Sequence, residues 1–346
     1  MKIGIIGTGN IAPAYVKGCA NFPEDIQLTT CADLVLERAQ LFAARHGLQA
    51  QTINGLLANP EIELIINLTI PAAHASVSQQ IINAGKHVYV EKPLALNREA
   101  GKAVLDAAVA KGVRVGCAPD TFLGSGGETA RQVVQSGAIG KPLSATAFMC
   151  NHGHESWHPN PSFYYQPGGG PLFDMGPYYL TALVNLLGPI ATVSGFTGRG
   201  FDTRTAEHES IKGDVLPVDV DTHIAGTMAF TNGTIATMIM SFDIWTHHLP
   251  CIEIYGTLGT MSVPDPNRFD GEVKVWRRET NEWETAEPVG RDDIERGVGV
   301  ADMARSIRAN APHRASGQLA YHVLDAMEAF GDSAESGRHI QLTSTV

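Results

Sequence analysis

The stretch Gly7-Thr8-Gly9-Asn10-Ile11-Ala12 follows an apolar run directly and opens a segment of helical period. A strand, a glycine turn and a helix in that order are what a G-x-G-x-x-G/A match requires before it carries meaning. Gly7 makes the tight turn, Gly9 lets the backbone approach a pyrophosphate, and Ala12 stands where the helix must press against the strand. The helix start at Asn10 and Ile11 then offers free N–H groups and a partial positive charge to phosphate oxygens. Asp33 stands just after the second apolar run, where a carboxylate can accept both hydroxyls of an adenosine ribose and repel a 2′-phosphate. This favours NAD over NADP, although Asp33 could instead cap a helix starting near Val35. Arg38, one turn later, could stack on adenine or approach a 2′-phosphate, which leaves NADP open.

The elements that must hold this turn are legible around it. Apolar runs at 2–6, 28–32, 64–68, 87–90 and 113–117 alternate with helix-period segments at 14–21, 35–46, 74–84 and 98–111. That alternation produces a parallel sheet covered on both faces. Gly47, Gly85 and Gly112 follow three of the helices, where a left-handed terminus costs little. After Pro119 the pattern changes. Helices are predicted at 129–135, 172–187 and 318–330, and strands at 143–150, 192–197, 221–230, 234–242, 251–255, 259–263 and 273–277, with Asn232-Gly233 as a two-residue hairpin signal. The expected fold class is α/β: an N-terminal Rossmann parallel sheet plus a C-terminal α/β domain with an open, largely antiparallel sheet. The boundary falls at 1–120 for dinucleotide binding and 121–346 for substrate binding and oligomerisation, with a C-terminal helix able to pack back on the first domain.

Composition narrows the partners. A length of 346 residues suits two domains, and a formal net charge of −11 opposes nucleic acid and anionic membrane surfaces. The five cysteines form no CxxC or CxxH pair, so disulfides and a zinc knuckle are not expected. No basic segment with an apolar core precedes the first strand and no apolar run approaches membrane-spanning length, so a cytoplasmic protein is expected.

Further motifs carry a family resemblance. In chain order they are the glycine turn, Thr69-Ile70-Pro71-Ala72-Ala73-His74, Glu91-Lys92-Pro93, and Gly168-Gly169-Gly170-Pro171-Leu172-Phe173-Asp174-Met175-Gly176. As an ordered set they strongly resemble the glucose-fructose oxidoreductase, inositol dehydrogenase and rhizopine catabolism (Gfo/Idh/MocA) family, over essentially the whole chain. The resemblance implies that Thr69, Pro71 and His74 line the nicotinamide half of the cofactor, that Glu91 binds the nicotinamide ribose, and that Pro93 follows a cis peptide bond. It departs at two places. Many relatives carry a histidine where Tyr178 stands, and the asparagine expected to touch the cofactor is Ala118, with Asp120 able to take over part of that polar role.

Hydride transfer needs a group that takes a hydroxyl proton or returns it. Lys92 suits this, because partial burial beside an oxidised nicotinamide disfavours its charge. Asp174 and Tyr178 are four residues apart on a predicted helix and share one face. A phenol can donate to a substrate oxygen, and Lys92 would be the cation that lowers its pKa. Their structural alternatives are a helix-start carboxylate for Asp174 and a core residue for Tyr178. Between these motifs, His152-Gly153-His154-Glu155-Ser156-Trp157-His158 and Phe163-Tyr164-Tyr165 suit a substrate loop, since aromatic faces and imidazoles match a carbohydrate. Trp157, His158 and Tyr164 are the substrate-contact candidates, against a loop packed at a domain or subunit contact. The histidines also invite a zinc reading, but no metal is expected because the hydride mechanism requires none.

The sequence thus points to an NAD(P)-dependent oxidoreductase acting on a secondary hydroxyl or the matching ketone of a sugar, polyol or sugar derivative. Lys92, Asp174 and Tyr178 are the catalytic set. A homodimer or homotetramer through the C-terminal sheet is expected by resemblance. A dinucleotide-bound sensor and an NAD-dependent glycosidase remain as competitors.

Overall fold

The computed structural model describes residues 1–291 and 293–346. The chain divides into two units, Met1–Gly124 with Arg291–Leu324 and Ser125–Gly290 with Asp325–Val346.

In the first unit, β1 (Lys2–Ile6), β2 (Gln27–Ala32), β3 (Gln49–Gln51), β4 (Leu64–Asn67), β5 (His87–Val90) and β6 (Val115–Cys117) form one parallel sheet of order β3-β2-β1-β4-β5-β6. Helices α1 (Ala12–Cys19), α2 (Leu36–His46), α3 (Ile53–Ala58), α4 (Pro71–Asn83) and α5 (Arg98–Lys111) connect the strands. Ile3, Ile5, Leu64, Ile65, Ile66, Val88 and Val90 are all fully buried, as strands covered on both faces must be. This is the expected Rossmann architecture. The short β3 and α3 were not expected, because neither has an apolar period long enough to read.

The second unit contains α6 (Ser125–Gln135), β7 (Pro142–Cys150), α7 (Gly170–Leu187), β8 (Ile190–Gly198), β9 (Thr203–Thr205), β10 (Val215–Pro217), β11 (His223–Phe230), β12 (Ile235–Ser241), β13 (Ile252–Gly256), β14 (Gly259–Val263), β15 (Lys274–Arg277) and β16 (Glu282–Thr285). Then α8 (Val298–Arg308) returns to the first unit, the division falls inside α9 (Gly317–Ser336), and β17 (Ile340–Gln341) completes a nine-stranded sheet of order β16-β15-β14-β13-β7-β12-β11-β8-β17. Only β7 and β12 pair in parallel in that sheet; the other neighbours are antiparallel. One face buries Val193, Met228, Ala236 and Met238, whereas Phe196 and Ile235 on the other face are exposed.

The β11–β12 hairpin departs from its expected turn. Gly233 donates to the Phe230 carbonyl and itself has φ +89°, while Phe230 N–H donates to the Thr234 carbonyl. The positive angle falls on the glycine alone, so the connection is a type I turn closed by a glycine bulge and not a two-residue primed turn.

Candidate active site

The first unit gathers its polar groups at one edge of the parallel sheet. Ile6 pairs with Asn67 and Asn67 with Val90, so the loops that begin at Gly7, Leu68 and Glu91 leave the sheet at the same level. The strand order reverses between β1 and β4, the position at which open α/β sheets bind ligands. Gly7 has φ +100°, and a Cβ there would lie 2.5 Å from the Leu68 carbonyl oxygen. A Cβ on Gly9 would meet nothing within 4 Å, so its backbone faces open space.

Thr8 donates to Asp33 Oδ2 through both its backbone N–H at 2.8 Å and its hydroxyl at 2.7 Å. The Val35 N–H donates to Asp33 Oδ1 at 3.2 Å, a local turn, and no side chain caps the start of α2. Burial alone would raise the Asp33 carboxyl, but these donors and the charge of Arg38 hold it below the usual range. Leu34 and Ile70, 91% and 68% exposed, present apolar surface to solvent on either side. An open backbone cradle, an ionised carboxylate and exposed apolar side chains fit a dinucleotide.

Behind that edge the loops are fixed by buried partners. The Asn67 amide donates to the His74 carbonyl and to Ser78 Oγ, each at 3.0 Å, and its carbonyl accepts from the Thr69 hydroxyl at 2.7 Å. The His74 ring is buried, with Nδ1 2.7 Å from the Pro93 carbonyl and Nε2 3.0 Å from the Thr69 carbonyl. It ties the Thr69 loop to the cis Lys92–Pro93 bond. Burial lowers its pKa despite both carbonyls and Glu91.

Glu91 is turned inward. It accepts from the Tyr15 hydroxyl at 2.8 Å and from the Lys92 N–H at 2.9 Å. Burial would raise this carboxyl, and the Arg296 guanidinium, Tyr15 and Lys92 outweigh it, keeping Glu91 below its usual range. Asp120 is fully buried and accepts the Gly297 and Gly299 N–H groups at 3.1 and 3.0 Å, at the start of α8, with Arg296 Nη1 3.6 Å away. Asp120 therefore anchors α8, and its burial raises its pKa more than Arg296 and the two N–H groups lower it. That corrects the expectation of a polar cofactor contact from Asp120. The close approach of Gly18 in α1, whose Cβ would fall 1.7 Å from the Arg296 carbonyl, seats the same segment.

The second unit builds its polar cluster around a loop. His154 Nε2 lies 3.4 Å from Asp174 Oδ2, and Asp174 stands on α7 one turn before the buried Tyr178. The His154 ring stacks on Tyr164 at 3.8 Å and meets Phe242 edge-on at 4.7 Å, and the half-exposed Trp157 leans on it at 5.2 Å. His158 packs edge-on against both Trp157 and Tyr164, and its pKa is lowered, first by burial and then by His154. Trp157, His158 and Tyr164 thus form one aromatic group around His154.

Arg204 on β9 holds this loop in place. Its buried guanidinium donates to Glu155 Oε1 and His152 Nε2 at 3.0 and 3.1 Å, to the Phe242 carbonyl at 2.8 Å, and to Asp243. The Tyr165 hydroxyl donates to the second Glu155 oxygen, and Thr222 and the Gly200 N–H donate to Asp243. Stacking of His152 on Trp245, with centroids 3.3 Å apart, adds a further tie. Among the described residues no group of three or more His, Cys, Asp or Glu side chains could hold a metal ion.

Residues 1–118 match the model described as the oxidoreductase family, NAD-binding Rossmann fold, and residues 128–262 match the GFO/IDH/MocA C-terminal domain. The chain belongs to the Gfo/Idh/MocA family. The inositol 2-dehydrogenase of Pseudomonas fluorescens is 32% identical over 152 residues, which is 41% of this chain and 44% of that protein. The match therefore spans less than half of that relative. An uncharacterized oxidoreductase of Rhizobium meliloti is 28% identical over 77% of this chain and 75% of its own length. Among solved structures, an NAD binding oxidoreductase from Klebsiella pneumoniae superposes with TM-score 0.86 at 22% identity, covering 99% of both chains. Levoglucosan dehydrogenase in complex with NADH and levoglucosan gives 0.84 at 22% identity, over 99% of this chain and 100% of that one.

Within this Gfo/Idh/MocA chain, Gly7, Gly9, Asn10, Ile11 and Asp33 share the edge formed by β1 and β2, with Arg38 exposed on α2. Thr69, Glu91 and Lys92 stand on the two loops beside it, Pro71 and His74 on the first turn of α4, and Asp174, Tyr178, Trp157, His158 and Tyr164 belong to the second unit. The sequence reading missed Thr8, Tyr15, Asn67, Arg296, Arg204 and Asp243. Only Thr8 carried a signal, since it lies between the two glycines; Tyr15, Arg296, Arg204 and Asp243 act across long sequence separations, whereas Asn67 acts locally on Thr69, His74 and Ser78.

Proposed function

We propose that this protein transfers a hydride between NAD and a secondary hydroxyl, or the matching ketone, of a sugar, polyol or sugar derivative. The observation that carries the reading is the level exit of three loops, which brings Gly7, Thr69 and Lys92 to one edge of the parallel sheet. NAD, when bound, supplies the hydride acceptor. Gly7, Gly9, Asn10 and Ile11 hold its pyrophosphate, Asp33 its adenosine ribose with Arg38 beside it, and Thr69 and Pro71 its nicotinamide half. His74 and Glu91 act from behind, fixing the loops that carry Thr69 and Lys92.

Lys92 takes the hydroxyl proton as hydride leaves the same carbon, or returns it to the alkoxide in reverse. Asp174 and Tyr178 position the substrate, an arrangement supported by their spacing on α7. Trp157, His158 and Tyr164 offer the apolar and hydrogen-bonding surface that a carbohydrate needs. The exposed Phe196 and Ile235, on one face of the nine-stranded sheet, support a homodimer or homotetramer through that face.

The test is absorbance of reduced nicotinamide with NAD and NADP against a panel of sugars and polyols, alongside Lys92→Ala. Turnover in the parent protein should fall by about 10²- to 10⁴-fold in the variant, with the Kd for NADH unchanged. Equal turnover in both proteins would remove Lys92 from the chemistry.

A further inference from the structure

Asp174 is not held by its own helix alone. The side chain opposite it comes from the loop twenty residues earlier, His154, with Nε2 3.4 Å from Asp174 Oδ2. His154 is 7% exposed, and Asp174 is only partly open to solvent. The imidazole plane has little freedom to turn: Tyr164 lies parallel to it within 16°, and Phe242 meets it at 76°. Its backbone is fixed too, since the His154 N–H donates to the Tyr165 hydroxyl at 3.2 Å and the Trp157 and His158 N–H groups donate to its carbonyl. The next residue, Glu155, is bound to Arg204. Across this 3.4 Å contact a carboxylate can only accept, so a hydrogen on Nε2 is what the imidazole can offer Asp174. Nδ1 is buried without a hydrogen-bond partner. A hydrogen there would have no acceptor, which favours the same Nε2–H tautomer.

We propose that His154 is a positioning residue for the reaction: its Nε2–H fixes the Asp174 carboxylate in the orientation that meets a substrate hydroxyl. The inference rests on the functional reading above for the role of Asp174 and adds the group that aims it. Tyr178, on the same helix, is a phenol whose oxygen can donate or accept; the buried imidazole offers Asp174 a donor of fixed direction from outside the helix. Because the reacting groups must be held to within a fraction of an ångström, a loosened Asp174 should lower turnover more than ground-state binding.

The parent and three variants test this. His154→Phe keeps a ring to stack on Tyr164 and removes the donor, and His154→Gln returns an N–H near the Nε2 position. The expected result is a kcat about 10- to 100-fold lower for His154→Phe, a substrate KM changed by less than about threefold, unchanged NADH affinity, and recovery of most of the loss in His154→Gln. A kcat for His154→Phe within twofold of the parent overturns the proposal, as does equal loss in both variants. Ring-nitrogen NMR gives a readout without turnover: the parent should show His154 as a single Nε2–H tautomer, and removing the carboxylate charge in Asp174→Asn should move its Nε2 resonance. An unchanged His154 spectrum in Asp174→Asn also overturns the pairing. If the parent protein turns over no sugar or polyol, the functional reading fails by itself, and the NMR comparison still decides the pair.

Discussion

The two units solve the same problem, holding a cluster of polar groups still, by opposite means. In the first, the groups sit on loops that a regular parallel sheet releases at one level, and most of the fixing bonds involve backbone atoms. Thr8 and Val35 N–H hold Asp33, and two carbonyls hold His74. In the second, the loop carrying His154 has little regular structure of its own. It is held by a buried cation, Arg204, that binds residues 49 positions before it and 39 after it. Backbone fixing tolerates side-chain change, whereas fixing by one buried charge concentrates the risk in a single residue.

The largest expected effect tests that contrast. Arg204→Met leaves Glu155 and Asp243 facing each other without their shared cation, and should cost about 3–5 kcal/mol of stability in chemical denaturation. Adding Glu155→Gln should return part of it by removing one of the two stranded charges. A loss below ~1 kcal/mol, the scale of an ordinary surface pair, would mean that the loop is held as redundantly as the first unit.

A smaller effect belongs to the edge that carries Asp33. Asp33→Asn keeps an acceptor for Thr8 but removes the negative charge that would repel a 2′-phosphate. The ratio of kcat/KM for NAD over NADP should fall about 10- to 100-fold, the scale of a lost charged hydrogen bond. Little change in that ratio would shift cofactor choice to Arg38.

The smallest is an acid sensitivity of the first unit. Burial lowers the pKa of His74, His87 and His313 below the ordinary imidazole value of 6.5. A histidine with a depressed native pKa binds more protons when unfolded, so its stability contribution is present above pH 6.5 and is lost as pH falls below that value. Melting temperature should drop by a few degrees, roughly 2–5 °C, between pH 7.5 and 5.5. His87→Gln should shrink that drop; an unchanged drop would place the acid sensitivity elsewhere.

The difference between the units also explains what could be read from the chain. Strands β1, β4 and β5 were legible because burial on both faces demands unbroken apolar runs, and Gly7 because only glycine adopts φ +100° so near the Leu68 carbonyl. Helix α8 was missed as an element. Its anchoring by Asp120, 177 and 179 positions away from its two donors, was invisible for the same reason that Arg204 was: nothing local marks a residue whose partners are distant. Glu91 shows the limit of a motif. The tripeptide located the loop, but not that its carboxylate turns inward to Tyr15, 76 positions earlier.

The sequence by itself determined the family, the parallel sheet, the glycine turn and the positions of Lys92, Asp174 and the aromatic loop, because each depends on a local period or a short motif. The tertiary structure alone decided which partners fix those groups. Asp174 meets His154, Glu155 meets Arg204, and Glu91 meets Tyr15 through burial, charge pairing and hydrogen bonding between separate segments of the chain. Such pairing leaves no period in the sequence, since a buried ion needs only one partner and that partner can come from anywhere the fold brings close.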